Sequence, residues 1–243
     1  MTGFADVVEP AASLVPPAAP EEYADPLEFF NVVADFLSPN QWLLKMTELI
    51  TGTDPVKWAG EKLAGDWKSY AACASAWQAM GHACDGIARN LRSGNTRIDA
   101  AWDGNAAGSA AHYFAALAGS LEEFHRSLDA MGAEYLAISR SVTFAAAGIA
   151  DCLTAMLDAL ITASIEVTAS AATGGGAAVM AAALGTEELL TILREWEHMN
   201  EFFSAAQTVM HAGSAALVRT GAETLTALSA FPVPRTAYDH PAV

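Results

Sequence analysis

From Trp67 to Val142 the apolar positions fall in alternating steps of three and four residues, the spacing that keeps one seam facing a partner helix. The first run reads Trp67, Tyr70, Ala74, Trp77, Gly81, Cys84, Ala88, Leu91, Asn95 and Ile98, with the charged Asp85, Arg89 and Arg92 off the seam. A second run reads Phe114, Leu117, Leu121, Phe124, Leu128, Met131, Tyr135, Ile138 and Val142, with no charged residue at a seam position. Between them the pattern breaks at Trp102-Asp103-Gly104. Two helices joined by so short a link run antiparallel. Each is expected to hold roughly 35–40 residues and to measure on the order of 50–60 Å. A lone two-helix hairpin leaves much apolar surface wet, so further elements or a partner must cover it.

Upstream, Asp25-Pro26, Ser38-Pro39 and Asp54-Pro55 each set a side-chain acceptor directly before a proline. Such an acceptor caps free amides, and proline at the first helical position gives up only an N–H that would be unpaired anyway. Gly52 suits the C-terminal cap of the helix before it. These signals predict short helices over 26–37 and 39–51 and a longer one from 55, with Gly60 and Gly65 as interruptions of its opening turns. Downstream, residues 142–172 are apolar on most of their circumference. Arg140, Asp151, Asp158 and Glu166 fall within about 80° of arc at ~100° per residue, the pattern of a buried helix with one wet face. Gly174-Gly175-Gly176 predicts a break and Thr186 a cap. A further helix is expected from Glu187 to about Gly213, with Glu187 and Glu188 favourably placed in its first turn. A last apolar stretch ends near Phe231.

Residues 1–25 combine Pro10, Pro16, Pro17 and Pro20 with acidic residues and no basic ones, which predicts a disordered or extended arm. Residues 230–243, with Pro232, Pro234 and Pro241, predict a flexible tail. The fold class is therefore all-α. Its expected organisation is the arm, two short helices over 26–52, a coiled-coil-like hairpin over 53–142 and apolar helices over 143–229 broken at 174–176. Together the helices would form an elongated bundle.

Composition narrows the function. Hydrophobic residues make up 53% of the 243, much of it alanine, the strongest helix former. The formal net charge is −16, and beyond Arg97 there are five Arg and no Lys. A phosphate-neutralising surface needs clustered cations, so nucleic acid is not an expected partner. Cys73, Cys84 and Cys152 cannot form a closed disulfide framework, and burial as small apolar residues is the expectation for all three. The first ten residues hold no basic region followed by an apolar stretch, so no secretory signal peptide is read there.

Trp102-x-Gly104 stands at the one break between two matched heptad runs, where glycine can take the backbone a reversal needs and tryptophan can wedge between the helices. Three stretches carry a family resemblance: Gly65-Asp66-Trp67 through Asn90-Leu91, then Ala101-Trp102-Asp103-Gly104-Asn105-Ala106-Ala107, then Tyr113-Phe114-x-x-Leu117. The chain resembles the Trp-x-Gly (WXG) superfamily, helical-hairpin substrates of the type VII (ESX-like) secretion systems of Gram-positive bacteria, and of actinobacteria in particular. The hairpin of that resemblance covers about 67–142, and the flanking helices are similar to those of longer actinobacterial members. The resemblance implies a protein held in the cytoplasm before export, then secreted or displayed at the cell surface. It would pair with itself or with a related WXG-type partner and engage the type VII machinery. The family's export signal, Tyr-x-x-x-Asp/Glu, is absent: none of the five tyrosines has an acidic residue four positions on, and Tyr135 is followed there by Ser139. The resemblance then implies that a partner supplies it.

Catalytic and cofactor chemistry find little purchase. His82 and Cys84 point to different helix faces, and His198 has carboxylates nearby but no second clear ligand, so no metal site is expected. There is no Gly-x-Ser-x-Gly, and no Gly-Lys-Ser/Thr follows the three glycines at 174–176. The leading expectation is a non-enzymatic, cofactor-free helical protein acting by protein–protein contact. A second has the helices at 142–172 and 177–193 entering a membrane, motivated by the absence of formal charge over 167–186. A third is an intracellular adaptor that presents a separately encoded toxin.

Overall fold

The computed structural model describes residues 6–21, 23–26, 28–29, 41–170 and 185–233, and among them every regular element is helical. One 3-10 turn, Pro10–Ser13, precedes α1 (Gln41–Thr51), α2 (Pro55–Leu63), α3 (Trp67–Asp99), α4 (Asn105–Ser170) and α5 (Thr186–Ser229). The chain divides into two compact units. The first draws on Met1–Pro20, Ser69–Leu136 and Gly213–Val243, and the second on Glu21–Lys68 and Ala137–Ala212. The protein is an all-α helical bundle in which α4 and α5 contribute to both units.

Two helices run on where breaks were expected. The second helix of the hairpin does not end near Val142, because α4 continues unbroken for 66 residues. Between Gly132 and Ser170 the chain holds no proline and a single glycine, Gly148, within an alanine-rich run, so nothing local stops it. Likewise α5 passes through Gly213 and on to Ser229. An interior glycine costs about 1 kcal/mol against alanine, which weakens a helix without ending it. Gly60 sits inside α2 without interrupting it, and the break before α3 falls at Ala64, where ψ turns to 129°. The expected break at 174–176, Ser38-Pro39, and most of the helix expected over 26–37 lie outside the described residues.

In the second unit, local signals shape the entry to α2. The Gly52 N–H donates to the Glu48 carbonyl at 2.8 Å with φ at +76°, closing α1. Asp54 Oδ1 accepts from the Val56 and Lys57 amides at 2.9 and 3.0 Å, with Pro55 opening the helix. Leu43 and Met46 of α1, Ala59 and Leu63 of α2, Ile149, Leu153, Met156 and Leu160 of α4, and Ile192 and Met199 of α5 form one buried cluster. Trp58 meets Trp196 and Phe203 edge-on at 5.2 and 5.7 Å between ring centroids. Arg140, Asp151 and Asp158 all remain exposed along α4.

In the first unit the N-terminal arm takes the extended form, one of the two that its composition allows. Residues 6–20 are extended apart from the 3-10 turn, and they are tied down along α3. The Asn90 side chain, nearly buried, accepts from the Val7 and Val8 amides at 2.9 and 3.0 Å and donates to the Val8 carbonyl at 2.8 Å. Farther along, the Ala18 amide donates to Ser75 Oγ at 3.0 Å. A carboxamide offers donor and acceptor side by side, as a neighbouring strand would, so it can order a segment with no helix propensity of its own.

Candidate functional site

The turn of the hairpin is the feature that the sequence singles out. The Ala101 amide donates to the Ile98 carbonyl at 2.9 Å as α3 ends. Gly104 then takes φ +104°, a left-handed conformation that side-chain-bearing residues rarely hold, and its carbonyl accepts from the Gly108 amide at 3.0 Å to start α4. Residues 101–106 are all exposed. Trp102 is 46% exposed, so it does not wedge between the helices but stands outward at the tip.

Behind the tip the two helices meet at positions numbered symmetrically about Asp103. Asn95 Nδ2 donates to the Ala111 carbonyl at 3.0 Å. A Cβ on Gly81 would lie 3.2 Å from the His125 carbonyl oxygen, and one on Gly132 would lie 2.9 Å from the Ala74 carbonyl oxygen. The same seven-residue step brings the fully buried Ala88 and Ala118 into line. On α3 these contact positions (Ala74, Gly81, Ala88 and Asn95) lie on the heptad seam read from the sequence. On α4 the line of closest approach is shifted by one residue, to Ala118, His125 and Gly132 instead of Leu117, Phe124 and Met131. The reason is backbone proximity: each pair across the line holds at least one alanine or glycine, Gly81 making room for His125, and the bulky apolar side chains flank the contact.

The remaining seam residues divide between the two units. Tyr70 and Tyr135 meet at 4.6 Å between ring centroids, and burial with the nearby Tyr135 and Cys73 pushes the Tyr70 phenol above its ordinary pKa. Leu128 is buried, whereas Trp77, Leu91, Ile98, Phe114, Leu117, Leu121, Phe124 and Met131 are half-buried. Phe124 packs on Phe231 at 5.6 Å. Trp67 meets α4 within the second unit, its carbonyl accepting from Ser139 Oγ at 3.4 Å, while its indole packs against that unit's core with Nε1 donating to the Leu63 carbonyl at 2.8 Å. Off the seam, Arg92 grips Glu122 in a two-bond fork at 2.6 and 2.7 Å, and the carboxylate raises the guanidinium pKa.

A second constellation lies in the other unit and was not visible along the chain. Cys152 of α4 and Glu195 and His198 of α5 bring one ligand atom each to within 4.8 Å of one another. Cys152 thus supplies the second ligand that His198 lacked in the linear reading; no sequence spacing connects residues on different helices. Burial, followed by a hydrogen bond to Glu195, pushes the Cys152 thiol up to about 12. His198 also lines a groove of about 450 Å³, together with Phe144, Glu201, Phe202 and Ala205. The other two cysteines differ from the expectation of burial: Cys73 is exposed and Cys84 half-buried.

One stretch of α4, within Asn105–Ala163, is long and apolar enough to cross a membrane, and 56% of that window is buried inside the protein. No family model, curated protein or solved structure matches the chain. The fold and the exposed tip define an all-helical protein built on a closely packed antiparallel hairpin.

Proposed function

We propose that this chain is a non-enzymatic protein exported through a type VII (ESX-like) route, and that it acts through protein–protein contact made around the hairpin tip. The observation that carries the reading is Trp102, a large aromatic left exposed at a tight turn whose Gly104 holds a positive φ. An aromatic held outward on a rigid support has the character of an interface anchor. The resemblance of the Trp102-x-Gly104 region to the Trp-x-Gly superfamily supplies the secretion route. The continuation of α4 past Tyr135 agrees with the missing Tyr-x-x-x-Asp/Glu: Ser139 is buried mid-helix, its Oγ donating to the Trp67 carbonyl at 3.4 Å. Export then depends on a WXG-type partner that carries the signal.

Replacing Trp102 with Ala tests the tip. As an exposed side chain it should change stability by no more than about 0.5 kcal/mol. Co-purification with a partner encoded beside it should fall at least about tenfold, and export should fall with it. Unchanged partner capture and export with an unchanged melting temperature would remove the tip from the interface.

The apolar window of α4 favours a second reading, insertion into a membrane. Flotation with anionic liposomes at neutral and mildly acidic pH separates the two. Recovery of the folded protein with the lipid would support insertion, and its absence at both pH values would exclude it.

A further inference from the structure

We infer that Cys152, Glu195 and His198 form a binding site for a zinc-like divalent transition-metal ion, which clamps α4 to α5 within the second unit. Glu195 and His198 are three residues apart on α5 and so share one face of that helix. Cys152 reaches them from α4, buried, while His198 is about half exposed and lines the neighbouring groove. The His198 Nδ1 lies 3.5 Å from Glu195 Oε2, already close to the separation of two donors on one ion. Tetrahedral coordination at ordinary zinc distances sets donor atoms roughly 3.3–3.6 Å apart. With all three donors within 4.8 Å, side-chain rotations on the order of 1 Å complete the set.

The donor chemistry selects the ion. One sulfur, one imidazole nitrogen and one carboxylate oxygen suit zinc and its neighbours, while calcium and magnesium prefer oxygen alone. A thiolate and a carboxylate together neutralise a dication, so the site carries no excess charge. On binding, the S–H bond of Cys152 breaks, a metal–sulfur bond forms and the proton leaves to solvent; no electron is transferred. Three protein ligands leave a fourth position for water. The inference does not depend on the export reading.

The test uses the full chain, treated with a chelator and titrated with Co²⁺ and then Zn²⁺. One equivalent of Co²⁺ should give the visible bands of tetrahedral cobalt and a thiolate-to-cobalt charge-transfer band in the near ultraviolet, both abolished by Zn²⁺. Zinc at about a hundredfold over its Kd should raise the melting temperature by about 5–10 °C. Cys152→Ser should remove the charge-transfer band. His198→Ala, at a half-exposed position that does not threaten the fold, should weaken binding by about a hundredfold or more. A Cys73→Ser/Cys84→Ser double variant should keep the band. Survival of the band in Cys152→Ser, its loss in the double variant, or no stoichiometric binding by the intact chain would each overturn the site.

Discussion

The close approach of α3 and α4 makes a paired prediction at two glycines of the same helix. Gly119→Ala adds a Cβ with no heavy atom within 4 Å, so only the backbone effect operates. In a helix interior that effect is about 0.5–1 kcal/mol in favour of alanine. Gly132→Ala gains the same backbone term, but its Cβ would lie 2.9 Å from both the Ala74 carbonyl oxygen and Gln78 Cγ. The glutamine side chain can swing aside; the carbonyl belongs to α3, so the helices must separate. Overpacking of this kind costs about 1–3 kcal/mol. Because the backbone gain is common to both variants, the difference between them isolates the steric term. A difference of about 2 kcal/mol corresponds to a melting-temperature gap of roughly 4–8 °C in a chain of this size. Thermal unfolding followed by circular dichroism reads it, with Gly119→Ala above the wild type and Gly132→Ala below it. Equal gains in both variants would refute the small-residue contact between the helices.

The other predictions rest on single observations. Asp54→Ala removes a cap that serves two amides and should cost about 1 kcal/mol, read as a lowered urea midpoint with an unchanged slope. Asn90→Ala strips three hydrogen bonds from Val7 and Val8, and limited proteolysis within residues 6–20 should accelerate about tenfold or more, the effect of losing roughly 1.4 kcal/mol of local protection. Equal cleavage rates would mean that the arm is held elsewhere. Maleimide should label the exposed Cys73 first and Cys84 more slowly, leaving Cys152 to react only on denaturation. Early modification of Cys152, located by peptide mass spectrometry, would contradict its enclosure.

Which parts of this architecture could be read along the chain depended on how local their causes are. Asp54-Pro55 and Gly52 act within one turn of backbone, and both do in the structure what their chemistry implies. The heptad on α3 located Ala74, Gly81, Ala88 and Asn95, because alternation of three and four fixes a face whatever occupies it. On α4 the same alternation fitted two adjacent lines, and apolar size favoured Leu117, Phe124 and Met131 over Ala118, His125 and Gly132. Close packing chose the second line, where each pair across the contact holds at least one alanine or glycine. The arm was legible only as disordered or extended, because its order comes from one buried carboxamide, Asn90, more than eighty residues away. A composition rich in proline reports low intrinsic order and nothing about such a partner. Trp102 and Gly104 were legible as a turn, but the outward stance of the indole was not, since it depends on how tightly the helices close behind it. The Cys152, Glu195 and His198 grouping was illegible for the same reason as the arm, as its members meet only once α4 and α5 pack.

The most direct test of the proposed role is export from the native host. The chain, tagged at its C-terminus and expressed with its neighbouring genes, is compared in culture filtrate and cell pellet with and without the type VII ATPase. The account predicts appearance in the filtrate that is lost when the ATPase is absent. Retention in the pellet of both strains, or equal amounts in both filtrates, would contradict it and leave an all-helical bundle whose partners lie along another route.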